Sequence, residues 1–398
     1  MKTRAIHVLL IALFAGAQFF ISNEFLKGYL RSPSTLAREI KTPLDSIDQY
    51  LIAEEPPFKY RILFPAIVKG TFSAMYDEGD ETGFYHTYKF WSLLFYITSA
   101  CSFFWLLSFC GFNAQQSFAG SIIFLLLPPM LMAYTLPVHT REDTLAYTLL
   151  FTGLILILSQ RRWLFLMLCV IGVFVRETLL LLPLLYFFYG KDELVSRKIL
   201  ICAVPAAVWI GMRIGPGAES YDMWEGFRWN MDNPEQVVGF AFITFNFLWL
   251  SFLLHFAFYK RNLHFIGSDL RFFYRSSLFV FVVVMVTTFI GGIFNEIRLL
   301  YLLAPWMIIL FLDCYRNYRD HFRVTAGTRN YWIFAAGSLL FCTGSLYLLL
   351  RNREDLIVPG KYAVPYDQWI IFSVCYIFVF LLFVPHLLTI FSLKRSAK

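Results

Sequence analysis

The chain is 398 residues long, 58% hydrophobic and 15% charged, and it carries 45 phenylalanines. Apolar runs near the roughly 20 residues needed to cross a bilayer recur from end to end, which excludes a soluble globular protein and predicts a polytopic membrane protein. The net charge of +7 is no sign of nucleic-acid binding, because basic residues gather at the ends of apolar runs as cytoplasmic anchors do.

Twelve apolar segments are expected, at 6–22, 90–110, 118–137, 144–159, 163–175, 178–189, 198–214, 237–259, 276–294, 299–313, 331–350 and 368–393. They predict an all-α transmembrane helical bundle, a single integral membrane domain over 1–398. Met1 to Ser22 has a basic start and the small residues Ala15, Gly16 and Ala17, a pattern shared with cleaved signal peptides. The apolar run continues through Phe19, Phe20 and Ile21, so the segment reads as a retained first helix with a cytoplasmic N-terminus.

Residues 23–89 then form a large extracytoplasmic first loop. Ser34 to Glu55 reads as interfacial helix broken near Pro43, and Asp45 and Asp48, three apart, share a helix face. Pro56 and Pro57 end it. Phe58 to Pro65 is a basic and aromatic strip leading back to the membrane; its Arg61 is either a site residue or a side chain snorkelling at the interface.

Arg141, Glu142 and Asp143 open the fourth segment, where acids also suit the positive end of a helix dipole. Arg176 and Glu177 interrupt the apolar run from Trp163 to Tyr189. A charge at the centre of a membrane helix costs about 2.5–3.5 kcal/mol on the most lenient scale, so this pair should face a partner or a water-filled site. A single crossing through 163–189 would put Arg197, Lys198, Lys260 and Arg261 outside, against the positive-inside rule. Two short helices meeting at Arg176 and Glu177 are expected instead, each about 18–20 Å long. Glu296 and Arg298 hold the equivalent place between segments nine and ten, followed by Pro305.

The seven cysteines fall in apolar segments or at cytoplasmic ends, so no disulfide is expected. The histidines lack a ligand spacing, so no metal site or other cofactor is called for. Neither a phosphate-binding glycine loop nor a serine elbow is present, which leaves ATP-driven transport and soluble-type hydrolysis unsupported.

Asp45 to Ala53 (Asp-Ser-Ile-Asp-Gln-Tyr-Leu-Ile-Ala), followed by Tyr60-Arg61-Ile62-Leu63-Phe64-Pro65, resembles the first outer loop of polytopic glycosyltransferases of the GT-C class. The motif-level likeness covers about 45–65, with weaker echoes at 141–143, 176–178 and 295–298. The resemblance implies a GT-C-like bundle in a bacterial plasma membrane, with both termini cytoplasmic. It implies inverting transfer of a hexose or pentose from a polyprenyl-phosphate-linked donor to a glycan, lipid or protein acceptor on the outer face. The catalytic base would be a first-loop aspartate; register with Ile52 and Ala53 favours Asp45, closeness to Tyr50 favours Asp48. Arg61, Arg141, Glu142, Asp143, Arg176, Glu177, Glu296 and Arg298 are the expected substrate-binding residues. The alternative reading is a lipid-linked saccharide flippase or secondary transporter, whose intramembrane charges would bind its cargo.

Overall fold

In the computed structural model, the described residues are 2–25, 61–77, 79–132, 142–191, 194–214, 223–232, 234–253, 255, 268–292, 297–351, 374–375, 377–386 and 388. Every regular element among them is helical. In chain order these are α1 (Lys2–Phe25), α2 (Leu63–Met75), α3 (Glu81–Phe109), α4 (Ala114–Leu126), α5 (Pro128–Met132), α6 (Asp143–Leu158) and α7 (Arg162–Val173). A 3-10 turn (Glu177–Leu180) leads into α8 (Leu181–Tyr189), α9 (Val195–Ile214), α10 (Met223–Asp232), α11 (Pro234–Phe245) and α12 (Ser268–Gly291). After α13 (Ile297–Leu300) and a second 3-10 turn (Tyr301–Leu303) come α14 (Ala304–Ala326), α15 (Arg329–Arg351) and α16 (Ile377–His386).

Five helices are long and apolar enough to cross a bilayer, within Thr3–Ile21, Glu81–Phe109, Val195–Ile214, Leu270–Gly291 and Arg329–Leu348. They mark an integral membrane protein. The other apolar helices are shorter, and in lipid, which is as apolar as their own side chains, they associate through close packing.

Among the described residues the expected segments fall on helices, with several shifted boundaries. α3 begins at Glu81 rather than near 90, because Asp80 caps it by accepting from the Gly83 amide at 2.9 Å; hydropathy alone does not register a cap. The third segment breaks in two at Pro128, before which Leu127 is extended, as a residue preceding proline prefers. α11 stops at Asn246, whose φ of 45° is left-handed. α12 starts at Ser268, before the apolar run. The strip around Leu63 does not simply lead back to the membrane: it opens α2.

The chain divides into two compact units, Met1–Asp232 with Ile266–Pro305, and Asn233–Phe265 with Trp306–Lys398. In the first, side-chain contacts fix the helix directions. His7 meets Phe118 at 5.4 Å and the Gln18 amide donates to the Leu125 carbonyl at 2.8 Å, so α1 and α4 run parallel. Thr98 meets Thr148 at 3.5 Å and Phe103 meets Phe151 at 4.8 Å, which makes α3 and α6 parallel too. α2 and α3 form an antiparallel hairpin, with Phe72 against Phe84 at 5.5 Å and Phe64 against Tyr88 at 5.5 Å. Phe124 is central: Phe103, Phe151 and Tyr301 all lie 5.2 Å from it. In the second unit, Phe247 stacks on Phe383 at 4.6 Å and meets Phe311 at 5.2 Å. There the buried Asp313 pairs with Arg316 and accepts from Asn317 at 3.3 Å.

α10 and α12 approach backbone to backbone. A Cβ on Gly226 would lie 2.5 Å from the Gly292 carbonyl oxygen, and beside it Asn230 Nδ2 donates to the carbonyls of Phe289 and Gly292, both at 2.9 Å. Backbone cannot swing aside as a flexible side chain can. Gly226→Ala should therefore lose about 1–3 kcal/mol and lower the thermal midpoint of the detergent-solubilised protein. Gly337→Ala on α15, where a Cβ would meet nothing within 4 Å, should be neutral or stabilising, since glycine weakens a helix by about 0.5–1 kcal/mol relative to alanine. Equal midpoints for the two variants would contradict the close crossing.

Candidate functional site

The reversal between α7 and α8 creates the site. Phe165, near the start of α7, stacks on Tyr186, near the end of α8, at 5.2 Å. These residues would be about 31 Å apart on one continuous helix, so the chain turns back between them, as the positive-inside argument requires. Gly172 makes the turn possible. The amides of Val175 and Arg176 both donate to its carbonyl, at 3.0 and 2.8 Å, and a Cβ there would press on the Leu179 side chain at 3.1 Å. Arg176 is extended, and Glu177 starts the 3-10 turn.

Two other chain segments meet this tip. The Leu63 amide donates to the Phe174 carbonyl at 3.1 Å, tying the end of the first loop to the hairpin. α6 begins alongside with Glu142 and Asp143. Arg61 joins all three segments: its Nη1 donates to Glu142 Oε1 at 2.5 Å, while Nη2 and Nε donate to the two oxygens of Glu177 at 2.7 and 3.2 Å. Arg176 pairs with Asp143. Arg61, Glu142, Asp143 and Arg176 are buried, none more than 4% exposed, and the Glu177 side chain is 26% exposed.

Arg61 therefore does not snorkel at the interface. Arg176 and Glu177 each reach across to another segment, Arg176 to Asp143 and Glu177 to Arg61. Neighbours in sequence leave an extended residue in different directions, which a linear reading does not resolve. Glu142 stands at the N-cap of α6 but makes no side-chain cap bond; its carboxylate goes to Arg61 instead. Two guanidinium groups thus face three carboxylates, and the fork on Glu177 is the bidentate geometry in which arginine binds carboxylates most strongly.

Asp45, Asp48, Arg141 and Glu296 lie outside the described residues, and Arg298 is described by its backbone alone, on α13. That helix is anchored near the cluster. Three residues on, Tyr301 donates its hydroxyl to the Phe124 carbonyl and lies 5.2 Å from Tyr147, one helical turn from Asp143. Tyr147, Tyr301 and Asn230 were not singled out from the sequence; the only available signal was polar or aromatic residues within a few positions of charged ones. Among the described residues no three His, Cys, Asp or Glu side chains are grouped to hold a metal ion.

Arg161, in the α6–α7 connection, and Arg162, the first residue of α7, lie at the far end of both helices from this cluster. Compared with family models, curated proteins and solved structures, the chain matches none.

Removing one partner of a buried ion pair leaves an unmatched charge and costs about 3–5 kcal/mol, whereas removing both recovers much of the loss. Arg176→Gln and Asp143→Asn should each lower the thermal midpoint sharply, and the double variant should regain most of it. Arg176→Gln with Glu177→Gln should recover far less. A larger recovery for the second double variant would contradict the observed pairing.

Proposed function

We propose that the protein is a GT-C-like membrane glycosyltransferase of the extracytoplasmic face, moving a hexose or pentose from a polyprenyl-phosphate-linked donor to a glycan, lipid or protein acceptor. The observation that carries this reading is the buried cluster itself. The chain emerging from the first loop is anchored through Arg61 to Glu142 and Glu177, at the end of the bundle away from Arg161 and Arg162. By the positive-inside rule that end faces outward, in a bacterial plasma membrane with cytoplasmic termini.

In the proposed reaction the acceptor hydroxyl attacks the anomeric carbon, its proton passes to Asp48 or Asp45, and the bond from that carbon to the phosphate oxygen breaks with inversion. Lipid phosphate leaves with the bonding electrons. A positioned carboxylate contributes roughly 10²–10⁴ to such a step. Glu142, Asp143, Arg61 and Arg176 form a fixed polar wall of the site. Glu177, the most exposed of the five, faces substrate, and the resemblance adds Arg141, Glu296 and Arg298 as further substrate-binding residues. For the alternative, a flippase or secondary transporter, charges near the membrane midplane of several helices are the expected signature; a cluster at a hairpin tip favours the enzyme.

Asp48→Asn and Asp45→Asn remove a proton acceptor with little change in volume. One of them should reduce glycosyl transfer from a prenyl-phosphate sugar at least roughly 100-fold while the thermal midpoint stays put. Full turnover in both single variants and in the double variant would rule out a first-loop base.

A further inference from the structure

The end of the bundle opposite the buried cluster carries charges that the proposed reaction does not use. They gather where α8 meets α12. Phe188 packs on Phe279 at 5.1 Å, and the Tyr189 ring lies 6.3 Å from Phe272 and 5.7 Å from Phe279. Those two partners are two helical turns apart, so the end of α8 stands level with the turn between them, which carries Arg275. Arg271 lies one turn nearer the cytoplasm, and Lys191 follows two residues beyond Tyr189.

Lys191, Arg271 and Arg275 are all exposed. Lys198 is not counted with them, because its ammonium donates to the Gly190 and Phe187 carbonyls at 2.9 and 3.2 Å and so holds the α8–α9 turn in place. The stretches 187–198 and 268–279 together hold five basic and three acidic residues, so this surface is net positive.

An apolar seam leads from the charges into the membrane. On α12, Arg271, Arg275, Leu278, Val282 and Val286 follow one another at steps of four, three, four and four residues, which places them on one helix face. All five are exposed. On α8, Leu184 and Phe188 are exposed too, one turn apart, and the contact of Phe188 with Phe279 joins the two faces along the seam. From Arg275 to Val286 α12 rises about 16 Å, close to the roughly 15 Å depth of one leaflet's hydrocarbon. A lipid with its headgroup on the arginines therefore ends its acyl chain near Val286. Each lysine or arginine near the surface adds roughly fivefold to the attraction for anionic lipid, and basic recesses between helices on the cytoplasmic side hold anionic headgroups.

We infer that the α8–α12 seam is a binding site for an anionic glycerophospholipid of the cytoplasmic leaflet, its headgroup on Lys191, Arg271 and Arg275 and an acyl chain along Phe188, Leu278 and Val282. The site lies at the other end of the α7–α8 hairpin from the proposed reaction, and it stands whether or not the protein transfers sugar. Basic residues that only anchor helices on the cytoplasmic side would be interchangeable with one another and indifferent to the shape of the seam.

The test measures retention of radiolabelled phosphatidylglycerol by the full-length protein in non-ionic detergent, competed with unlabelled phosphatidylglycerol, phosphatidylcholine and inorganic phosphate. Saturable retention is expected, displaced far better by phosphatidylglycerol than by phosphatidylcholine and not displaced by inorganic phosphate. Replacing both Arg271→Gln and Arg275→Gln should weaken affinity at least roughly tenfold. Arg4→Gln removes an exposed arginine of α1 at the same end of the bundle and should leave affinity unchanged. Val282→Trp keeps every charge but fills the seam, and should weaken binding severalfold. Wild-type affinity in the folded double variant would overturn the site, as would an equal loss in Arg4→Gln. If the double variant does not fold, wild-type affinity in Val282→Trp overturns it. Equal displacement by phosphatidylcholine would replace the proposal with a plain apolar groove, and displacement by inorganic phosphate with a soluble-anion site.

Discussion

A guanidinium group cannot lose its proton, so wherever the chain carries one into apolar surroundings it must carry acceptors in with it. Arg61 and Arg176 impose that condition on this bundle. Between them they draw together the end of the first loop, the start of α6 and the tip of the α7–α8 hairpin, three segments widely separated in sequence. Much of the surrounding architecture serves this meeting. α7 and α8 are short because they turn back at the cluster, Gly172 leaves room for the turn, and the Leu63–Phe174 backbone bond fixes the first loop's return. Buried pairs of this kind contribute little net stability, but they are expensive to break singly. What they supply is register, since a slip of one residue at 61, 143 or 176 would strand a charge.

The sequence was most informative where a charge interrupts an apolar run. Arg176 with Glu177 predicted a hairpin tip, and the Phe165–Tyr186 contact bears that reversal out. Glu142 and Asp143 were singled out by the same rule. Partners were not legible, because pairing depends on which way each side chain leaves the backbone, and adjacent residues leave differently. Arg61 read either as a site residue or as a snorkelling interfacial arginine, and its burial excludes the second. Helix starts were misjudged at Glu81 and Ser268, where polar residues continue a helix beyond the apolar stretch that hydropathy detects. Asn230 and Gly226 carried no sequence signal at all, since a backbone-to-backbone crossing depends on a distant segment.

Sharing two arginines among three carboxylates bears on mechanism. Carboxylates held by guanidinium are fixed in position, which suits a wall that orients hydroxyl-rich substrates. The proposed reading therefore puts proton removal on the first loop and orientation on the cluster. The orienting role depends on the hairpin tip lying beside the start of α6.

The reversal at Arg176 can be measured without any assumption about substrate. Trp163 and Phe188 are both well exposed and accept spin labels after replacement by cysteine in a background without native cysteines. With the chain turned back so that Phe165 stacks on Tyr186, the label separation should fall below about 25 Å. A continuous helix through 163–188 would give about 38 Å, and a distribution centred there would contradict the hairpin and with it the buried cluster.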